Sequence, residues 1–196
     1  MLALAPVQRH SLLVRVTHWL TTICVGALVV SGVAILLAHP RLYWGEVGAI
    51  GMPALIDLPL PLVLTGQTGW GRSLHFLSAW AIVITGVVYL AGVGRAHFRW
   101  PLYNRLQRQA YTLVVFVLLP LMVWTGLAMS PAITSVAPFI VTILGGHQSA
   151  RTLHFFVALA LTSFVAGHVV MVAMAGFTPY VGAMITGRLS VRRDVA

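Results

Sequence analysis

Acidic residues are almost missing from this chain: Glu46, Asp57 and Asp194 are the three among 196 residues, and all 12 basic residues are arginine. Charged residues make up 8% of the sequence, hydrophobic ones 59%, and the mean hydropathy is +0.94, which excludes an ordinary soluble domain. A single cysteine, Cys24, excludes disulfide frameworks, cysteine-ligated iron–sulfur clusters and thioether-attached haem. The scarcity of carboxylates inside apolar runs argues against a transporter or channel with a proton relay. The net charge of +9 would suggest nucleic acid in a soluble protein, but the arginines mostly flank apolar runs, so membrane topology accounts for them and no nucleic acid is expected. No soluble domain, low-complexity segment or clear internal repeat is evident.

What remains is apolar runs of membrane-spanning length. Four spans are predicted, at about 14–37, 73–94, 110–130 and 152–175, in one integral membrane domain covering 1–196. The first, too long for a signal-peptide core and without an A-x-A site, reads as an uncleaved span. Pro120 lies inside the third and predicts a kink. Residues 39–71 and 131–150 are partly apolar but broken by prolines and glycines, including the Gly145–Gly146 pair, and are expected to be interfacial or re-entrant. With the N-terminus inside, nine arginines (9, 15, 95, 99, 105, 108, 188, 192, 193) lie cytoplasmic and three (41, 72, 151) outside. The expected fold is an all-α membrane protein, a four-helix transmembrane bundle with both termini cytoplasmic and a long periplasmic segment at 39–71.

Histidines stand out against this background. The last span holds His154 and His168, fourteen positions apart, which returns the side chain to within about 40° of the same helix face and about 21 Å along the axis. One helix thus offers an imidazole near each face of a bilayer. His18, a turn or two into the first span, matches His168 in depth on the cytoplasmic side. His75, near the outer end of the second, matches His154. Each pair can supply the two axial nitrogens of a low-spin b-type haem. A lone histidine near a helix end is more often polar lining; four at two matched depths favour haem. His10, His39, His97 and His147 fall in flanks and loops, and Met129, Met171 and Met174 read as packing.

Arg15, Arg72 and Arg151 each precede a candidate ligand by three residues, one helical turn on the same face. Each lies on the interfacial side of its histidine, where haem propionates would sit, and arginine suits carboxylates. Spacing alone suits snorkelling anchors as well, and the threefold recurrence tips the reading to propionate partners. Gly26, Gly32, Gly86, Gly126 and Gly167 lie within spans and read mainly as helix-packing residues.

The R-x-T-H-W of the first span, the R-S-L-H of the second and the R-T-L-H…G-H of the fourth resemble the bacterial di-haem cytochrome b membrane subunits. Those include the cytochrome b subunits of nickel–iron hydrogenase, formate dehydrogenase and thiosulfate reductase, with the related bacterial cytochrome b561 proteins. The resemblance implies two b haems in a four-helix core of the bacterial inner membrane, ligated by His18/His168 and His75/His154. It implies an electron-transfer subunit of an oxidoreductase complex, carrying electrons between a periplasmic redox partner, such as a molybdopterin oxidoreductase, and the quinone pool. An iron-to-iron separation of about 20 Å, set by the helix rise, suits direct transfer. Quinone is expected near the inner haem, with Asn104, Arg105, Arg108 and Tyr111 the nearest polar residues. A homodimer or larger complex is compatible with this reading. The alternative is a stand-alone enzyme passing electrons from superoxide or another small molecule to quinone; a haem-free transporter ranks below both.

Overall fold

The computed structural model describes residues 7–8, 10–49, 51–58, 68–93 and 105–189. In chain order these form β1 (Val7–Gln8), α1 (Leu12–Ala38), β2 (Arg41–Leu42), β3 (Ile56–Asp57), α2 (Thr68–Val93) and α3 (Arg105–Leu113). A π-helical turn (Val114–Leu118) leads into α4 (Leu119–Ala128), followed by α5 (Pro131–Val136), α6 (Phe139–Thr142), α7 (His147–Thr186) and β4 (Arg188–Leu189). Among the described residues, four stretches are long and apolar enough to cross a membrane: Leu12–Ala38, Gly69–Gly92, Gln107–Ala128 and His147–Thr186. The protein is therefore all-α with four membrane-length helical spans.

Two boundaries differ from expectation. The second helix begins before Arg72, and the fourth begins at His147 and continues to Thr186, because helix needs only internal hydrogen bonding, not apolar side chains, where it leaves the hydrocarbon. The fourth is unbroken past both histidines and turns sharply at Gly176 (φ 119°), three residues before Pro179. Pro120 follows the π-turn and opens α4. A proline has no N–H for the preceding turn, and the wider turn accommodates it.

The described residues fall into two compact units, one drawn from Met1–Ile35, Gly66–Arg99 and Ala166–Ala196, the other from Leu36–Thr65 and Trp100–Val165. In the first, small and hydroxylated residues recur every seven positions. Thr17, Cys24 and Ser31 are buried on α1, and Gly71, Ser78 and Thr85 on α2. A Cβ at Gly71 would lie 3.4 Å from Ala34, while one at Gly92 would collide with the Leu13 side chain, so the two helices run antiparallel along this small-residue seam. Large residues such as Ile23, Val30, Leu77 and Ile84 point outward, the inverse of a soluble protein and suited to lipid. The end of α7 joins the start of α1 through the Trp19 indole, which donates to the Met184 carbonyl at 3.1 Å. β1 and β4 pair antiparallel beside it.

In the second unit, the loop after β2 clasps the start of α7. The Gly45 carbonyl accepts from the Gln148 and Ser149 amides, and Glu46 Oε2 accepts from the His147 amide, satisfying donors that a helix start leaves open. Ser149 Oγ accepts from the Gly45 amide at 2.8 Å, and Thr152 Oγ1 donates to the Tyr43 carbonyl at 2.7 Å. Gly146 has φ 112°, and a Cβ there would stand 2.6 Å from the Gly45 backbone. β2 and β3 form a short antiparallel ladder, with Arg41 and Asp57 paired at 3.0 Å; the carboxylate raises the arginine's pKa and holds its charge. Ala128, Val141 and Ala150 form a small core, against which Met129 packs.

Candidate functional site

Inside an apolar span the nearest acceptors for a hydroxyl are its own helix carbonyls, and Thr17, Ser31, Thr85, Thr125 and Ser163 each donate to the carbonyl four residues back. Two of these hydroxyls also meet a histidine. Ser31 Oγ lies 2.7 Å from the Ala27 carbonyl oxygen and 3.0 Å from His75 Nδ1. Thr125 Oγ1 lies 2.9 Å from the Leu121 carbonyl oxygen and 2.9 Å from His154 Nδ1. Both hydroxyl residues are fully buried, at 0% exposure.

The proton positions follow from these distances. Two oxygens at 2.7 to 2.9 Å require a hydrogen between them, and a carbonyl has none to give, so each hydroxyl donates to its own helix. Its lone pair then accepts from the imidazole, placing the ring proton on Nδ1 and the lone pair on Nε2, the state a metal ligand needs. The His75 ring also hydrogen-bonds the Leu28 backbone of α1, the helix that carries Ser31. Beside each hydroxyl stands a glycine whose missing Cβ would sit 3.7 Å from the ring: Gly32 against His75 Cε1, Gly126 against His154 Cε1.

His18 and His168 lie within range of each other's charge. The His18 Nδ1 is buried and without a hydrogen-bond partner among the described residues. Among those residues no three His, Cys, Asp or Glu side chains converge as they would around a bare metal ion. A haem iron asks the protein for only two nitrogens, and the donor set here is imidazole throughout. Tautomer-fixed imidazoles, an unpartnered buried ring nitrogen and backbone left bare beside two rings all fit haem.

The other expected residues are placed as follows. Arg15 donates to the Ile185 carbonyl at the end of α7, and its Nε is buried without a partner among the described residues. Arg151 donates to the carbonyls of His39 and Arg41. Arg72 is exposed on α2. Arg105 and Arg108 are exposed on α3, where Arg108, Gln109, Thr112, Leu113 and Val117 line an open cavity of about 520 Å³. Tyr111 instead packs edge-on against Phe164, the ring centroids 5.9 Å apart. Asn104 and His97 lie outside the described residues. His147 pairs with Glu46 at 3.7 Å on the wall of a second cavity, of about 530 Å³, reaching to Pro131, Thr134 and Pro138. Sequence reasoning did not single out Ser31, Thr125 or this cavity. The available signal was a hydroxyl–glycine dipeptide inside three of the apolar spans, V-S-G-V, I-T-G-V and W-T-G-L, of which the first and third meet a histidine.

Comparison with known proteins adds two findings. The family model described as prokaryotic cytochrome b561 matches residues 9–187. A curated relative from Azospira oryzae, named as a putative protein-methionine-sulfoxide reductase subunit YedZ1, is 31% identical over 211 residues, spanning 91% of this chain and 96% of its own length.

Proposed function

The chain belongs to the prokaryotic cytochrome b561 family, membrane electron-transfer proteins with b-type haem, and on that premise we propose that it carries electrons across the bacterial inner membrane between a periplasmic oxidoreductase and quinone. When bound, haem supplies a one-electron couple. The residues do the rest. His18, His75, His154 and His168 offer four axial nitrogens, enough for two haems with the pairing expected from sequence depth. Arg15, Arg72 and Arg151 stand one turn from three of them; a guanidinium carries five donors, so arms on backbone carbonyls leave others for propionates. Both termini are cytoplasmic, as the arginine distribution requires.

The observation that supports this reading most is the pair of imidazoles, His75 and His154, each held at Nδ1 by a buried hydroxyl, the arrangement that puts the ring's lone pair on Nε2. The periplasmic partner is supported by the relative's name, which makes that protein a reductase subunit. Quinone would meet the chain at the Arg108 cavity.

Purified protein in lipid nanodiscs tests the reading. A short-chain quinol is expected to reduce the haem, and Arg108→Ala to slow that reduction about tenfold or more while the haem spectrum stays unchanged. Haem that dithionite reduces but no quinol can, or an Arg108→Ala rate equal to wild type, contradicts the quinone assignment.

A further inference from the structure

We propose that Ser31 and Thr125 are positioning residues that lock His75 and His154 in the Nδ1–H tautomer and tune the potential of the haem each histidine ligates. The inference rests on reading those histidines as axial ligands.

Three observations carry it. The same four-part arrangement occurs twice, independently, in the two compact units: a buried hydroxyl, its carbonyl four residues back, a following glycine and a histidine on the next span. In each case the hydroxyl proton is already directed to the helix, so the side chain can act toward the ring only as an acceptor. And the arrangement is selective: His18 has a buried Nδ1 with no such acceptor among the described residues.

Chemistry gives the direction. An acceptor on Nδ1–H makes the imidazole a stronger electron donor through Nε2, which favours ferric over ferrous iron and lowers the potential. Removing the acceptor reverses this and also frees the ring to rotate or to change tautomer. Haem bound through His18 lacks the device and should not respond. Among the described residues, hydroxyl anchoring is found at His75 and His154 and not at His18. A hydroxyl is neutral, so it fixes the ring without placing an extra buried charge in the membrane.

The test uses full-length haem-loaded protein carrying Ser31→Ala or the nearly isosteric Thr125→Val. Redox titration should show one haem shifted to a more positive potential and the other unmoved, with a changed low-temperature EPR signal for the same haem. Haem affinity should fall about tenfold or more, as for other losses of a ligand's hydrogen-bond partner. Ser31→Thr and Thr125→Ser, which keep the acceptor, should restore potential and EPR signal. Should Ser31→Ala fail to fold, Thr125→Val decides the matter. Wild-type potential and EPR signal in Thr125→Val, with haem still lost in His154→Ala, overturn this inference alone. Full haem content in both His75→Ala and His154→Ala overturns the ligand reading and this inference with it.

Discussion

Gly32 and Gly126 follow the two anchoring hydroxyls directly, and each leaves backbone bare beside an imidazole. In an apolar span a glycine reads most simply as a helix-packing residue, and at Gly26, Gly86 and Gly167 a Cβ would meet none of the described residues within 4 Å. Gly32 and Gly126 differ because a histidine ring is what they meet. A Cβ at 3.7 Å is ordinary van der Waals contact, whereas a branched side chain there would enter the ring's space. Gly32→Ala and Gly126→Ala should therefore keep wild-type haem content, while Gly32→Leu and Gly126→Leu should weaken haem binding about tenfold or more. Titrating haem into the apoprotein checks this, and equal binding by the leucine variants would contradict it. At the same scale, Arg15 complements the carbonyl end of α7, where the helix dipole favours a cation. The R-x-x-H spacing was visible in sequence, but these backbone acceptors were not, because they come from residues more than a hundred positions away.

Among the elements, α7 does the most. It carries two of the four candidate ligands, is held at its start by the loop around Gly45, and ends against α1. Gly146 makes that start possible, since its positive φ and the Gly45 backbone 2.6 Å from any Cβ both exclude a side chain. Gly146→Ala should lower stability by about 1–3 kcal/mol from backbone strain, before the clash is added. Gly26→Ala, mid-helix with open space, should raise it by about 0.5–1 kcal/mol. Thermal melts in detergent should move in opposite directions; melting at the wild-type temperature for Gly146→Ala would contradict the account of this turn. The existence of all four spans was legible because hydropathy alone decides it. Their ends were less so: Arg72 and His147 lie inside helices although they are polar. Pro120 was expected to kink its helix, and the π-turn that precedes it is a local choice that composition does not reveal. Ser31 and Thr125 were passed over because a hydroxyl in an apolar span normally has only its own helix to bond.

At the level of the whole molecule, twelve arginines and three acids are the balance of a membrane protein whose basic residues mostly flank its apolar runs. Family membership and four membrane-length helices make it a haem-carrying electron-transfer protein of the bacterial inner membrane. The candidate ligands were legible from spacing and depth, while the groups that orient them required coordinates. The central claim is that His18, His75, His154 and His168 hold two haems. The measurement that tests it most directly is a pyridine haemochrome assay on the purified chain and on the four single His→Ala variants. Two b haems per chain are predicted, with losses grouping as His18 with His168 and His75 with His154; one haem, none, or losses that ignore this grouping would contradict the account.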